Sequence, residues 1–198
     1  MTDMQLRFPP SRIQELSERY IAELRERDRR LTDEITVTVF PSYERRGYLT
    51  KDEFLTVCEW KTPRSKRHCA SNDASLIQEV SNLVRRTSSE ELRIRAWTLL
   101  AGVKWPTASV FLHFAFPGRY PILDYRVLWS LCTDVPSKYT FAFWQSYAEF
   151  CRALASQTGV SLRMLDQALW KYSELHQPNK GAVGWHALTT GYPLGGVG

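Results

Sequence analysis

Apolar residues in the first part of the chain recur every three or four positions, as they do on one face of an amphipathic helix. This face follows Ser11, a residue type that caps helix N-termini, and it comprises Ile13, Leu16, Tyr20, Ile21 and Leu24. The charged run over residues 23–30 is expected to face solvent. The pattern therefore predicts an amphipathic helix that begins near Ser11.

Helical spacing, together with helix start and stop signals, continues over most of the remaining chain. Thr50 and Glu53 have the spacing of a capping box, and Pro63 ends the helix that they open. The predicted helices cover residues 50–60, 74–86, 89–101, 106–114, 124–131, 140–158 and 162–176. We therefore predict an all-α fold, organised as a single compact helical domain over residues 1–198.

Three segments depart from the helical pattern. Residues 35–40 alternate β-branched residues and locally favour a strand, but no partner strand is evident, so a helix remains an alternative. Residues 64–72 are basic and polar, and we predict a loop there. Residues 181–198 are rich in glycine and are predicted to form an irregular tail.

The composition is that of a folded, soluble protein. Of the 198 residues, 43% are hydrophobic and seven are Trp, which excludes intrinsic disorder as the main state. No apolar run is long enough to cross a membrane and the N-terminus lacks a signal-peptide pattern, so we expect a cytoplasmic protein. The 26 Lys and Arg exceed the 21 Asp and Glu by five, which is compatible with a polyanionic partner but is weak evidence for one.

The cysteines do not have the spacing of a metal centre. Cys58, Cys69, Cys132 and Cys151 form no C-x-x-C pair, and His68 beside Cys69 has no second close pair to complete a zinc site. The four-cysteine run that binds an iron–sulfur cluster is also missing. We therefore expect no metal, no iron–sulfur cluster and no cofactor, and free thiols in a reducing compartment.

Residues 99–109 are the most informative part of the sequence. Gly102 lies in a short turn between two predicted helices, and Pro106 suits the first turn of the second helix. Such a turn is expected to expose the backbone N–H groups around Val103 to Trp105 near the positive end of that helix. With the charge of Lys104 at the tip, the turn predicts an anion site suited to one DNA phosphate.

This segment resembles the helix-hairpin-helix DNA glycosylase superfamily. The hairpin of that family reads approximately L-P-G-V-G-x-x-T-A, and an aspartate follows about twenty residues later in an element similar to V-D-x-H-V. The matching residues here are Leu100, Gly102, Val103, Thr107 and Ala108, followed by Leu123, Asp124, Tyr125, Arg126 and Val127. The specific resemblance covers residues 99–131.

The resemblance implies both a fold and an activity. It implies an all-α fold of two lobes with the active cleft between them, a helix-hairpin-helix over about residues 89–115 and a catalytic aspartate element over residues 120–131. It implies that double-stranded DNA binds at the hairpin, and that the target nucleotide rotates out of the duplex into a pocket. The hairpin residues expected to contact DNA are Gly102, Val103, Lys104, Trp105 and Thr107.

Two differences from the family pattern bear on the turn and on the chemistry. Lys104 stands where the family has a second hairpin glycine, so the turn is expected to be less tight or to use another backbone geometry. Pro106 aligns with the catalytic lysine of bifunctional members, and proline cannot form a Schiff base. A glycosylase with this sequence is therefore expected to be monofunctional.

The chemical argument that Asp124 is catalytic does not depend on the resemblance. Cleavage of an N-glycosidic bond builds positive charge on the sugar, and a carboxylate beneath it can stabilise that charge, orient water or act as a base. The apolar residues 120–123 before Asp124 would partly shield it from water. Asp124 can equally be the N-cap of the helix that contains Val127 and Leu128, and the two roles are compatible.

Other residues are weaker candidates for the site, and each has an ordinary structural explanation. Trp60 could stack on an extruded base beside Lys61, although both also suit the end of a helix. Arg126 occupies the position of the family histidine that contacts phosphate or base, and Tyr125 precedes it. His113 is a candidate for the base pocket, although a histidine at such a position is more often an interior residue than a catalytic one. The basic residues of the predicted loop, expected to face DNA or solvent, are Arg64, Lys66 and Arg67.

These features lead to three hypotheses. The first is a monomeric, monofunctional DNA glycosylase that excises a damaged or modified base, either in repair or in defence against phage DNA with hypermodified cytosine. The second is a non-catalytic helix-hairpin-helix protein that binds DNA and in which Asp124 is only a helix cap. The third is an all-α scaffold that binds protein partners through its aromatic surface.

Overall fold

The computed structural model describes residues 4–178, and within this range it is all-helical. The all-α fold class is therefore confirmed for this part of the chain. The α-helices are α1 (Ile13–Ala22), α2 (Glu26–Asp33), α3 (Phe40–Arg46), α4 (Lys51–Lys61), α5 (Lys66–Ala70), α6 (Ala74–Arg86), α7 (Glu90–Trp97), α8 (Trp105–Ala115), α9 (Tyr125–Ser130), α10 (Phe141–Thr158) and α11 (Leu162–His176). The predicted tail over residues 181–198 lies outside the described residues.

Residues 35–40 are helical, so the strand favoured by their alternation is wrong. Glu34–Val39 form a π-helical segment that joins α2 to α3, and the N–H of Phe40 bonds to the carbonyl of Ile35 five residues earlier. Pro41 explains this wider turn, because proline has no N–H to donate within an α-helix and its ring clashes with the carbonyl four residues before it. The wider turn accommodates Pro41 without ending the helix.

Three boundaries of secondary-structure elements differ from those predicted from the local sequence. The segment predicted as a loop over residues 64–72 contains a 3₁₀ turn, Pro63–Ser65, and the short helix α5. The helix predicted over residues 89–101 ends at Trp97 and is followed by turns. Ser11 does not cap α1, because it lies within a 3₁₀ turn, Pro10–Arg12, that leads into the helix. The capping box of Thr50 and Glu53 is confirmed at the start of α4.

The described chain forms two compact units, and residues from Leu24 to Ile122 make up one of them. Its core contains the stacked rings of Phe54, Phe111 and Trp97, with ring centroids 5.4 Å apart for Phe54–Phe111 and 4.2 Å apart for Trp97–Phe111. All three side chains are fully buried. These rings come from α4, α7 and α8, so they join the three helices that surround the turn after α7.

Within the described residues, the other unit combines residues 4–23 with residues 123–178. Helix α11 packs on both α1 and α9, and a buried hydrogen bond of 2.8 Å joins Ser17 of α1 to Gln167 of α11. Lys171 is buried and forms ion pairs with Glu23, at 2.6 Å, and with Glu174.

No helix within residues 4–178 has both the length and the apolar character needed to cross a bilayer.

Candidate phosphate-binding turn and carboxylate site

Helices α7 and α8 are joined by a turn that depends on Gly102. The φ angle of Gly102 is +80°, a left-handed conformation that side chains rarely adopt. A Cβ atom at this position would lie 2.7 Å from Cys69 Sγ and 2.9 Å from the Cys69 backbone nitrogen. Both the backbone angle and the close approach of α5 therefore require glycine here.

Asn72 ties the same turn to the segment after α5. Its side-chain oxygen accepts from the N–H of Ala101 at 2.7 Å, and its side-chain nitrogen donates to the carbonyl of Ala101 at 3.0 Å and to that of Cys69 at 2.8 Å. The side chain is buried, so each of these bonds replaces one that water would otherwise make. Asn72 thus holds the turn and the basic segment together.

The residues predicted to contact DNA at the turn are placed differently from one another. Lys104 is exposed, and it is the residue before α8. Val103 is buried and its N–H donates to the carbonyl of Leu100 at 3.1 Å, so the prediction that this N–H is open to a ligand is wrong. Thr107 is buried in α8, and its side chain does not present a surface to a partner. Trp105 is half-buried, with the guanidinium of Arg95 5.7 Å from its ring centroid.

The basic residues before α6 lie on 3₁₀ and α-helical turns beside the Gly102 turn. Arg64 and Arg67 are exposed. Lys66 is exposed but pairs with Glu59 at 3.0 Å, and Glu59 also pairs with Arg27 at 3.3 Å. The hydrogen bond from Lys66 lowers the pKa of Glu59, so its carboxylate remains charged at neutral pH and offsets part of the local positive charge.

Trp60 and Lys61 lie at the C-terminal end of α4, and both are half-buried. The indole N–H of Trp60 donates to the Thr32 hydroxyl at 2.9 Å, and its ring meets Phe114 edge-on at 5.4 Å. These contacts hold the Trp60 ring against α2 and α8. They account for Trp60 as a packing residue, and its role in base stacking stays a prediction.

His113 is an interior residue. It is only 5% exposed, and its Nδ1–H donates to the carbonyl of Tyr120 at 2.8 Å. The Tyr120 hydroxyl accepts a hydrogen bond of 2.8 Å from the buried guanidinium of Arg93. Tyr120 is therefore held at both ends, and this fixes the start of the segment that leads to Asp124.

Asp124 is the N-cap of α9 and is half-buried. Its Oδ1 accepts from the N–H of Arg126 at 3.0 Å, so the predicted helix cap is confirmed. Burial, and then the charge of Asp124, raise the pKa of Tyr139, which places this tyrosine within electrostatic reach of the carboxylate. Sequence reasoning missed Tyr139, because no motif links it to Asp124 fifteen residues earlier.

Tyr125 and Arg126 follow Asp124 on the first turn of α9. Tyr125 is 40% exposed, and Arg126 is half-buried. The guanidinium of Arg126 lies over two rings, those of Tyr125 and of Trp170 from α11. Trp170 is a second residue that the sequence did not single out, since its spacing on α11 is that of an ordinary packing residue.

The cysteines show no arrangement typical of a metal centre. All four are free thiols, and no group of three or more His, Cys, Asp or Glu in the described part of the chain could hold a metal ion. Burial raises the pKa of the Cys58 thiol, and so does its hydrogen-bonded neighbour Cys69. The Cys58 thiol is therefore protonated and unreactive at neutral pH.

Comparison of the chain with protein-family models, with curated proteins and with solved structures finds no match in any of the three. The function is therefore argued from the residues themselves. Asp124, Tyr125 and Arg126 belong to the unit that contains α9, and the Gly102 turn with its basic neighbours belongs to the unit of residues 24–122.

Proposed function

We propose that this protein is a monofunctional DNA glycosylase that uses a helix-hairpin-helix to bind the DNA backbone and Asp124 to assist cleavage of an N-glycosidic bond. The observation that carries the proposal is the Gly102 turn. Its left-handed glycine, its close contact with Cys69 and its Asn72 hydrogen bonds give a rigid connection between α7 and α8. Rigid turns of this kind before a helix bind phosphate through backbone N–H groups and need no base-specific contact.

The charges around the turn support a polyanionic ligand. Lys104 at the turn and Arg64, Arg67 and His68 of the neighbouring segment are exposed. The position of a Gly102 Cβ would be 3.1 Å from His68 Cβ, so the basic segment and the turn are in contact. The cations among these residues, Lys104, Arg64 and Arg67, can bind phosphates of a duplex, and the affinity then falls steeply with salt.

Asp124 supports the catalytic part of the proposal. A carboxylate near the sugar stabilises the oxocarbenium-like transition state and can orient the attacking water. The cap uses Oδ1 of Asp124, and a carboxylate accepts several hydrogen bonds at once. Capping and catalysis are therefore compatible in one residue. The product would be an abasic site, because Pro106 in the first turn of α8 cannot supply a Schiff-base lysine.

The N-cap role of Asp124 also favours a second function, DNA binding without catalysis. Because the Asp124 carboxylate already has a structural role at the start of α9, a DNA-binding protein without catalysis would also retain it. Such a protein would keep the turn and the basic segment, and would bind DNA without excising a base.

One variant separates the two functions. Asp124→Asn keeps a side-chain oxygen for the cap and removes the charge that catalysis needs. The protein and this variant are incubated with labelled duplexes that each carry one damaged or modified base, and with phage DNA rich in modified cytosine. Heating in alkali then cleaves any abasic site. Asp73→Asn, at the N-cap of α6, is the matched control for a change of one carboxylate at a helix start.

If the protein is a glycosylase, we expect alkali-dependent cleavage that Asp124→Asn abolishes without a change in DNA affinity. The Asp73→Asn control should cleave as the unmodified protein does. Absence of abasic sites with every duplex, combined with salt-sensitive DNA binding, would favour the non-catalytic protein. DNA binding that is absent altogether would reject both functions.

A further inference from the structure

The guanidinium of Arg126 lies over two aromatic rings. Its Cζ atom is 5.4 Å from the ring centroid of Tyr125 and 5.2 Å from that of Trp170. Tyr125 is the neighbouring residue on α9, whereas Trp170 comes from α11. Two cation–π contacts hold a long side chain that would otherwise sample many rotamers.

Trp170 is itself held in place by a second set of contacts. The ring of Tyr20, from α1, meets the Trp170 ring edge-on at 5.5 Å and an interplanar angle of 83°. The guanidinium of Arg163 lies 5.9 Å from the Tyr20 ring centroid and pairs with Asp166 at 3.0 Å. The contacts therefore run from α9 through α11 to α1, and they fix the plane against which Arg126 rests.

The guanidinium of Arg126 differs from two other cations of this unit, which form ion pairs. Arg163 pairs with Asp166, and Lys171 pairs with Glu23 and Glu174. In the range 4–178, Arg126 forms no ion pair. Its backbone N–H bonds to the cap, and its guanidinium lies over the two rings. A guanidinium that stacks on rings keeps its N–H groups directed outward in its own plane, where they match the oxygens of a phosphate.

We propose that Trp170 is a positioning residue, which together with Tyr125 holds Arg126 ready to bind one phosphodiester of the DNA strand that Asp124 acts on. The inference rests on the proposed function for the identity of the strand, and Trp170 lies outside the segment of residues 99–131 on which that function was first based. A carboxylate and a guanidinium two residues apart on α9 match the two charges of a reacting nucleotide, a cationic sugar and an anionic phosphate. Fixing Arg126 in advance lowers the entropy lost on binding.

The first experiment tests, without DNA, whether Tyr125 and Trp170 hold Arg126 ready for a phosphate. We call these three residues the clamp. The Nε–H resonance of Arg126 is assigned by its loss in Arg126→Lys and is followed by NMR during titration with inorganic phosphate. We expect a saturable shift in the unmodified protein and in Trp170→Phe, which keeps a ring face. In Trp170→Leu, which keeps apolar volume without a ring, the shift should become weak and non-saturable.

The second experiment tests whether the clamp serves DNA binding. Duplex affinity is measured over a range of salt concentrations for the unmodified protein, Arg126→Gln, Trp170→Leu and the double variant. Loss of one phosphate contact lowers the slope of log affinity against log salt by about 0.9. We expect each single variant to show this loss and the double variant to show no more than either.

The results distinguish the two proposals. No saturable shift of Arg126, or an equal shift in Trp170→Leu, overturns the role of Trp170. A lower melting temperature of Trp170→Leu with an unchanged phosphate response and an unchanged salt slope would also overturn it, because a purely structural tryptophan behaves in that way. A saturable phosphate response in a protein that binds no duplex would retain the clamp and reject the proposed function.

Discussion

Gly102 faces the sulfur of Cys69 so closely that a single added methyl group would stand 2.7 Å from it. This approach brings the turn between α7 and α8 against α5, which carries part of the basic segment. The geometry of the proposed phosphate site thus depends on a contact between a glycine and a buried thiol. The first two predictions follow from this contact and from the Asn72 hydrogen bonds beside it.

Gly102→Ala should lower the free energy of unfolding by about 2–4 kcal/mol, because it combines backbone strain with a steric clash. Gly118→Ala is the matched control, since Gly118 has a similar φ of +78° but no atom within 4 Å of an added Cβ. The control should cost only about 1 kcal/mol. Urea unfolding of both variants measures the difference, and equal losses would show that the Cys69 contact is unimportant.

Asn72→Ala should lower the free energy of unfolding by about 2–3 kcal/mol, because it leaves the N–H and carbonyl of Ala101 without their side-chain partners. The backbone amide of Ala101 should also exchange its hydrogen faster with solvent. Asn82→Ala removes a half-buried bond of 3.2 Å to the carbonyl of Gly47 and serves as the control. Hydrogen exchange at Ala101 that is unchanged in Asn72→Ala would contradict the role given to Asn72.

Glu59→Gln should strengthen duplex binding if DNA is the partner, because it removes the carboxylate that pairs with Lys66 and Arg27. The slope of log affinity against log salt should steepen by up to about 0.9 for each cation released to a phosphate. Glu15→Gln breaks an exposed pair with Arg12 of 3.1 Å and is the control. A similar gain in both variants would indicate a general effect of net charge.

Tyr43→Phe should change how stability depends on alkaline pH. The Tyr43 hydroxyl donates to the carbonyl of Ser81 at 2.8 Å, and burial raises the pKa of Tyr43 well above its ordinary value of 10.0. A tyrosine whose pKa is raised by folding contributes stability below pH 10 that is lost progressively as the pH rises above 10. The variant should lose about 1 kcal/mol at pH 7 but decline less steeply above pH 10.

The measurement is urea unfolding of both proteins at about pH 7, 9, 10.5 and 11. An equally steep decline in the two proteins above pH 10 would show that Tyr43 does not contribute to the alkaline transition.

Most helices could be predicted from the sequence because their signals are local. Residues 74–86 and 162–176 form helices with the predicted bounds, and the helix predicted over residues 140–158 is α10, with Thr140 as its N-cap. The π-helical segment could not be predicted from alternation alone. Pro41 is the local cause of that segment, but its effect depends on a helix continuing on both sides, which the β-branched run does not indicate.

The candidate site was predicted only in part, for a similar reason. Gly102, Lys104 and Asp124 belong to a short motif, so their positions on the turn and at the helix cap follow from nearby residues. Asn72 bonds to Ala101, which is 29 residues away in sequence, and Trp170 contacts Arg126, which is 44 residues away. Such partners have no signature in local spacing. The burial of Val103 and Thr107 likewise depends on packing that the motif does not specify.

The division of the chain into two units has a consequence for the order in which the protein folds during synthesis. Residues from Leu24 to Ile122 are continuous, so that unit can fold as soon as its last residue leaves the ribosome. Helix α1 is made earlier, yet its packing partner α11 is made more than a hundred residues later. Ile13 and Leu16 of α1 are buried in the finished protein, and α1 lacks its contacts with α11 on the nascent chain until α11 emerges. Among the helices of residues 4–178, α1 is the first to be synthesised and one of the last to obtain its packing partner.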